Sequence, residues 1–508
     1  MAFESSSTKI AIKNKKILSV TELATNSRIL IADGKNVSKV ISVKSTEKVT
    51  AFEKTKEELT MKGQIFYSLI VELATGEVTC VEQVSEFEGK IKLDDGYELS
   101  VGIACKDINI SSVSSSEIVV ESIMELTVMG LTNEVLDIFS SNSESVVKET
   151  ENIEVNSVVA TVSSFFNVAC ENEVFSSVDK ILNVNATVIL NNCKVSEDMV
   201  IVDGKIIRSV LFLDEEGKMK TEESVIDFCE EVPAVSAKVG QFASAELCLN
   251  NISVKASMDE EGSKGHFITT AEIKVEVAVF EKVFSEILVD LFSTEEELLP
   301  IFETYSANEF KTFTLLEGRA TNTCESLYSG FEDFFVLESK VYNSSIVYED
   351  GLVNISGVIM SKMIAKNVDT AMFDMQEFSM PFETVMKSTE QIQTGGESTA
   401  KVSAVLTGMK RKGDSYELNY DVFAEVKSFT SNFVTYVKEV NEIEDKKIND
   451  NSILVYRKSA TESLFDVCKA LGVSKNIVIS QNGDVDFEEP TENTIIIYKQ
   501  KEAQFKTM

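Results

Sequence analysis

The chain has 508 residues, and its 48 basic and 83 acidic side chains give a formal net charge of −35. Such an acidic surface repels nucleic-acid phosphates and anionic lipid head groups, which argues against either as the main partner. The length predicts about three to five domains. The single histidine, His266, argues against a Ser-His-Asp triad and excludes multi-histidine metal sites.

The eight cysteines are dispersed and no two form a CxxC pair. This spacing predicts free thiols in a reducing compartment rather than a zinc site or a disulfide framework. The first residues lack the apolar region of a signal peptide, and no stretch approaches the roughly 20 apolar residues of a membrane-spanning helix. We therefore expect a soluble protein in the cytoplasm, with no membrane span.

Most of the chain alternates between apolar and polar residues with period two. Good examples are residues 182–190, 273–279 and 416–426. This alternation is typical of half-buried antiparallel strands with one wet face. Turn signals separate the strands at 214–217, 259–262 and 410–413. The pattern predicts a mainly β chain of sandwich-like modules.

Three segments of the chain repeat one another. The segment that runs from Gly63 to Phe87 superimposes without a gap on the one from Gly204 to Phe228, and a third copy occupies 357–382. The spacing of more than 140 residues predicts that each repeat is a small domain. We expect a strand to end at each leading glycine, where the backbone approaches closely, and we assign the glycines and phenylalanines a structural role.

Residues 284–302 are the longest helical candidate before the C-terminal segment. We expect this stretch to be a connector packed between repeats rather than a membrane anchor, because its acidic residues would be costly in lipid.

The last sixty residues differ from the repeats. Ser459 and Glu462 have the spacing of a capping box, apolar residues follow at helical spacing from Leu464, and Gly472 provides a C-terminal stop. A second helix can begin at Ser474. Apolar, β-rich runs at 453–456 and 494–498 flank both helices. The predicted order is strand, helix, helix, strand.

This terminal segment resembles a LysM domain. Residues 461–464 stand at the place of the family's GDTL loop, and Asn482 at its conserved asparagine position. Some LysM domains bind N-acetylglucosamine polymers in a groove between these loops. The resemblance implies a partner-binding groove, here expected to take a protein, formed by Thr461, Glu462, Ser463, Phe465, Asn482, Gly483 and Asp484.

The three repeats resemble the SPOCS module of spore coat assembly proteins from spore-forming Firmicutes. The segments that carry the likeness are 181–217 and 290–293, with their counterparts in the other repeats. Three such modules before a LysM segment resemble the layout of clostridial spore coat morphogenetic proteins that dock onto the stage IV sporulation protein A ATPase. The resemblance implies β-sandwich-like domains at 1–145, 146–300 and 301–445, and a small α+β LysM-like domain at 449–500.

No sequence motif indicates catalysis. GxSxG, GxxxxGK[ST], GxGxxG and HExxH are all absent, and the many carboxylate pairs are expected by chance among so many acids. We therefore predict no catalytic residue, no metal and no cofactor. The predicted function is a non-enzymatic scaffold of spore coat or envelope assembly, in the mother-cell cytoplasm at the forespore surface.

Its predicted partners are the coat morphogenetic ATPase, other coat proteins and further copies of the chain itself. The alternative function is a cell-wall protein that binds the N-acetylglucosamine chains of peptidoglycan through the LysM-like groove. Sedimentation with purified sacculi would separate the two. An unrecognised carboxylate enzyme would instead require an activity that disappears when one acid pair is mutated.

Overall fold

A computed structural model gives the arrangement of almost the whole chain. The residues that it describes are 5–31, 36–55, 58–92, 98–114, 116–174, 176–258, 265–325, 330–349, 351–370, 372–387, 398–413, 415–445 and 453–498. The turn signal predicted at 259–262 lies outside these residues. The cysteines with described side chains are all free thiols, as predicted.

The described strands before residue 446 fall into three groups of six. The first group is β1 (Ser5–Leu30), β2 (Val37–Lys54), β3 (Glu58–Leu73), β4 (Val78–Lys92), β5 (Glu98–Val113) and β6 (Glu117–Ser141). The second is β7 (Val146–Val174), β8 (Lys180–Ser196), β9 (Met199–Leu213), β10 (Met219–Pro233), β11 (Phe242–Met258) and β12 (Gly265–Ser293). The third is β13 (Glu296–Glu325), β14 (Phe331–Glu349), β15 (Leu352–Asn367), β16 (Phe373–Lys387), β17 (Ser398–Lys412) and β18 (Ser415–Asp445).

Each group contains two three-stranded antiparallel sheets with the same topology. The second, third and fourth strands form a meander, as in the order β8-β9-β10. The sixth strand lies between the first and the fifth, as in the order β11-β12-β7. All neighbours within the sheets pair antiparallel, and only two short helices accompany the described strands. The prediction of a mainly β chain is confirmed.

The two sheets of each group contribute residues to a shared apolar core. In the second group, Val188 and Ile206 of one sheet lie in the same buried cluster as Ile273 and Val275 of the other. Alternate residues of these strands point inward, which is why the period-two pattern marks them. Equivalent clusters fill the other two groups.

The repeated glycine and phenylalanine lie opposite each other in the middle of paired strands. Gly63 pairs with Phe87, Gly204 with Phe228, and Gly357 with Phe382. The expectation that a strand ends at each glycine is therefore wrong, while the expected close approach is present. A methyl group on Gly204 would lie 2.4 Å from the Phe228 ring and 2.7 Å from the Ile189 carbonyl oxygen. Glycine is needed there because the phenylalanine ring covers its Cα.

The three groups meet along a common axis. Ile41, Leu182 and Leu337, from the second strand of each group, share one buried cluster with Ile70, Leu211 and Ile364, from the third strands. Ile10, Ile153 and Tyr305, from the first strands, meet in another buried cluster. Equivalent residues contact one another in this way when units surround a pseudo-threefold axis. The described groups therefore form a pseudo-trimer within one chain.

The prediction of a helix at 284–302 is wrong, but the expected packing of this stretch between repeats is present, because it shares a buried cluster with residues of the first and third groups. These residues belong to β12 and β13, and they pair with β7 and β18. A register shift between Leu288 and Asp290 interrupts the alternation. Ile287, Leu288 and Leu291 are consequently all buried, at a spacing that imitates one face of a helix.

The C-terminal segment has the predicted order of strand, helix, helix, strand. Its elements are β19 (Ile453–Lys458), α1 (Leu464–Leu471), α2 (Lys475–Gln481) and β20 (Asn493–Tyr498). β19 and β20 pair antiparallel. Helix α1 ends at Gly472, whose φ of 62° is left-handed and suits glycine.

Candidate functional site

Six of the seven predicted partner-binding residues lie in two loops of the terminal segment, and the seventh, Phe465, lies in the first turn of α1. Both loops are attached to a small apolar core, which consists of Val467, Cys468, Leu471, Val478, Ile495 and Ile497 together with Phe465. These residues occupy the inner faces of the two helices and of the β19–β20 pair. The core fixes where each loop begins and ends.

The loop before α1 contains Thr461, Glu462 and Ser463. Ser463, and not Ser459, is the N-cap of the helix, so the predicted capping box is displaced by four residues. The Ser463 hydroxyl accepts from the Asp466 N–H at 3.2 Å, and the Asp466 carboxylate accepts from the Ser463 N–H at 2.8 Å. The predicted pair and the observed pair each have a serine three residues before an acidic residue. The helix begins at the second pair, which lies next to the apolar residues of the helix.

Ser459 and Glu462 form a separate turn ahead of the helix. The Glu462 carboxylate accepts from the Ser459 N–H at 2.7 Å and also from the Tyr456 hydroxyl. Both hydrogen bonds lower the pKa of Glu462, and the one from Tyr456 has the larger effect. The same hydrogen bond raises the pKa of Tyr456. Glu462 is thus held in place as an anion beside exposed Thr461 and Ser463.

Phe465 does not lie in an open groove. It is 3% exposed, and its ring packs edge-on against Phe292 of β12 with the centroids 5.5 Å apart. Lys475 lies over the same ring at 5.6 Å. The inclusion of Phe465 among the partner-contacting residues is therefore not supported in this conformation, because the second group of strands already covers it.

The loop after α2 contains Asn482, Gly483 and Asp484. The Asn482 side chain accepts from the Ile496 N–H at 2.9 Å and donates to the Ile496 carbonyl oxygen at 3.0 Å. It also donates to the Val478 carbonyl oxygen at 3.1 Å. Asn482 thus fastens α2 to β20, whereas Gly483 and Asp484 remain exposed. Asn482 has a positioning role, and the two residues after it are accessible to a partner.

The terminal segment is docked on the second group of strands. Besides the Phe292–Phe465 contact, Lys469 forms an ion pair with Asp290 at 2.5 Å, and Lys475 lies 3.6 Å from Glu149. Sequence reasoning missed this contact surface. The sequence signal for it is the Asp-Leu-Phe-Ser motif at 290–293, one of the segments that carry the likeness to the SPOCS module.

A cavity of about 860 Å³ lies between the three groups, lined by β2 and β7 together with the fifth and sixth strands of each group. Charged side chains that line the cavity form hydrogen bonds from one group of strands to the next. Lys274 donates to the Val101 carbonyl oxygen and Lys401 to that of Leu247, both at 3.0 Å. Glu425 is 5% exposed beside Lys401, and burial raises its pKa. These polar groups join the three groups of strands around the axis.

Other potential reactive groups are already paired or dispersed. His266 is half-buried, with its Nδ1 3.4 Å from the Glu171 carboxylate. Within the described ranges, no three His, Cys, Asp or Glu side chains are placed to hold one metal ion. None of the helices described is long and apolar enough to cross a membrane.

Comparison with known families identifies one domain. Residues 177–257 match the family model described as SipL, SPOCS domain. The matched stretch covers β8, β9, β10 and most of β11. Searches of curated proteins and of solved structures find no match. The chain is therefore a SPOCS-containing protein, and the match relates it to sporulation and to the protein interactions of that process.

Proposed function

We propose, from the SPOCS domain at residues 177–257, that this protein is a non-enzymatic scaffold of spore coat or envelope assembly. The observation that carries the proposal is the repetition of one topology. All three groups have the same two-sheet strand order, although the family model matches only the second. We infer that each group is a SPOCS-like β-sandwich domain, with domains at 1–145, 146–300 and 301–445.

The second part of the proposal is that residues 449–500 form a LysM-like domain that docks onto a coat morphogenetic ATPase. Thr461, Ser463, Gly483 and Asp484 are exposed, and the two loops that carry them are anchored by hydrogen bonds of Ser463 and Asn482. Rigid, exposed loops favour binding because little conformational entropy is lost when a partner is bound. The proposed interface consists of these four residues and Glu462.

A pseudo-trimer suits a scaffold because it presents related surfaces several times on one molecule. Weak contacts that are tethered together gain avidity without any new interaction. The acidic side chains on the wet strand faces keep such a large surface soluble. We place this assembly in the mother cell at the forespore surface.

The test is capture of the purified stage IV sporulation protein A ATPase of the same organism by the immobilised full chain. Asp484→Arg and Thr461→Arg should each weaken capture about tenfold or more, because they place an unmatched charge in the interface. Glu86→Arg, an exposed change on β4, is the matched control and should bind normally.

Deletion of residues 449–508 should abolish capture. Undiminished capture by this deletion would contradict the docking proposal. Binding of purified sacculi or chitin oligomers, lost with the same deletion, would favour the alternative of a cell-wall protein.

A further inference from the structure

A buried arginine lies inside the second group of strands. Arg208 is in the middle of β9, on the face that carries Ile206 and Val210 into the core, and it has 0% exposed surface. Its guanidinium lies 5.6 Å from the Phe267 ring. A charged group in such surroundings is costly unless hydrogen bonds and an opposite charge compensate for the lost water.

In the described part of the chain, only one side of this guanidinium is hydrogen-bonded. Nη1 donates to the Thr269 hydroxyl of β12. Nε and Nη2 are both buried, and neither has a hydrogen-bond partner among the residues that the structure describes. Buried donors of this kind are rare in folded proteins, and each unsatisfied one costs roughly 1–3 kcal/mol.

A third unsatisfied group lies on the neighbouring strand. Ser224 of β10 is the direct cross-strand partner of Arg208, so both side chains project from the same face of the sheet. The Ser224 hydroxyl oxygen is buried and also lacks a hydrogen-bond partner within the described ranges. Arg208 Nε, Arg208 Nη2 and the Ser224 hydroxyl are therefore three unsatisfied donors on adjacent residues.

The pattern of free donors selects a kind of ligand. Nε–H and Nη2–H lie on one edge of the guanidinium, and this edge matches the two oxygens of a single carboxylate, sulfate or phosphate group. A hydroxyl beside the edge can donate a third hydrogen bond. We propose that Arg208 and Ser224 form a buried binding site for a small oxyanion, which neutralises the guanidinium within the second group of strands.

One carboxylate of the chain is close enough to influence this site. Glu222 precedes Ser224 by two residues and so lies on the same face of β10, and its charge acts on Arg208. In the described part of the chain, no carboxylate forms an ion pair with Arg208. Glu222 therefore opposes the oxyanion electrostatically, and its removal should strengthen binding.

The test is isothermal titration calorimetry of the full chain with formate, sulfate and inorganic phosphate in turn, at constant ionic strength. The wild type should bind one oxyanion per chain, with saturation. Arg208→Met should weaken binding at least tenfold and Ser224→Ala several-fold, whereas Glu222→Gln should tighten it. Arg28→Met, a change at an exposed arginine, is the control and should bind as the wild type does.

The probes also distinguish the sources of the ligand. Binding of formate alone would indicate a carboxylate ligand, whereas binding of sulfate and phosphate would indicate a tetrahedral ion. Either result supports the site. The proposal is overturned if the wild type shows no saturable binding. It is also overturned if only Glu222→Gln binds, because Glu222 would then be the natural acceptor. If Arg208→Met does not fold, unchanged binding by Ser224→Ala contradicts the site.

Discussion

Replacing Gly204 with alanine should destabilise the second group of strands, because the new methyl group has no space. The ideal Cβ position lies 2.4 Å from the Phe228 ring and 2.7 Å from the backbone oxygen of Ile189. The ring can rotate away, but the carbonyl oxygen belongs to the paired strand β8 and moves only if the sheet moves. Overpacking of this kind costs roughly 1–3 kcal/mol.

The equivalent glycines provide a graded series. At Gly63 the methyl group would lie 2.3 Å from Phe87 and 2.4 Å from the Lys48 carbonyl oxygen. At Gly357 the nearest atoms are 3.1 Å away, which a small shift can relieve. We therefore expect the Gly63→Ala and Gly204→Ala losses to be about 1–3 kcal/mol and that of Gly357→Ala to be smaller.

Gly102 is the matched control for this series. It lies within β5, and a methyl group there would meet nothing closer than 3.9 Å. Gly102→Ala should therefore be neutral or stabilise the protein by roughly 0.4–1 kcal/mol, since alanine restricts the unfolded chain. Urea unfolding followed by circular dichroism gives the midpoints. If Gly204→Ala unfolds at the same midpoint as Gly102→Ala, the close-packing explanation is wrong.

Two further predictions concern contacts between parts of the chain. Phe292→Ala removes the ring that packs against Phe465, so it should weaken the docking of the terminal segment by about 3–5 kcal/mol. Amide hydrogen exchange in α1 should then become faster, and an unchanged exchange rate would contradict the docking. Burial raises the pKa of Glu425, so the folded protein binds its proton more tightly than the unfolded chain does. The stability of the wild type relative to Glu425→Gln should therefore increase as pH falls from 7 towards about 4.3, and Glu82→Gln is the control. If the difference between the urea midpoints of the wild type and Glu425→Gln is the same at pH 7 and pH 5, this explanation is wrong.

Local pattern was sufficient to predict the strands but not their pairing. The alternation at 273–279 identified β12 because one face of that strand is buried and the other is polar. The aligned glycines and phenylalanines indicated a repeat, yet their pairing across β9 and β10 is a contact between strands. Sequence order alone does not show which residues will face each other.

The helix predicted at 284–302 also shows that a local pattern is not sufficient, because here it suggested the wrong type of secondary structure. The adjacent residues Ile287 and Leu288 are both buried next to a register shift, and this break in the alternation imitates helical spacing. In the terminal segment, the sequence located both loops correctly but not the burial of Phe465. The covering ring, Phe292, is 173 positions earlier in the chain, and only the tertiary fold brings the two together.

The docked terminal segment gives the pseudo-trimer a direction. Three groups with one topology would present three nearly interchangeable sides, but Phe292, Asp290 and Glu149, which hold the terminal segment, all belong to the second group. The side formed by the second group therefore differs from the other two. A partner attached to that segment would meet the other two sides in a fixed order, so an assembly of such molecules could acquire a consistent handedness even though its units are repeats.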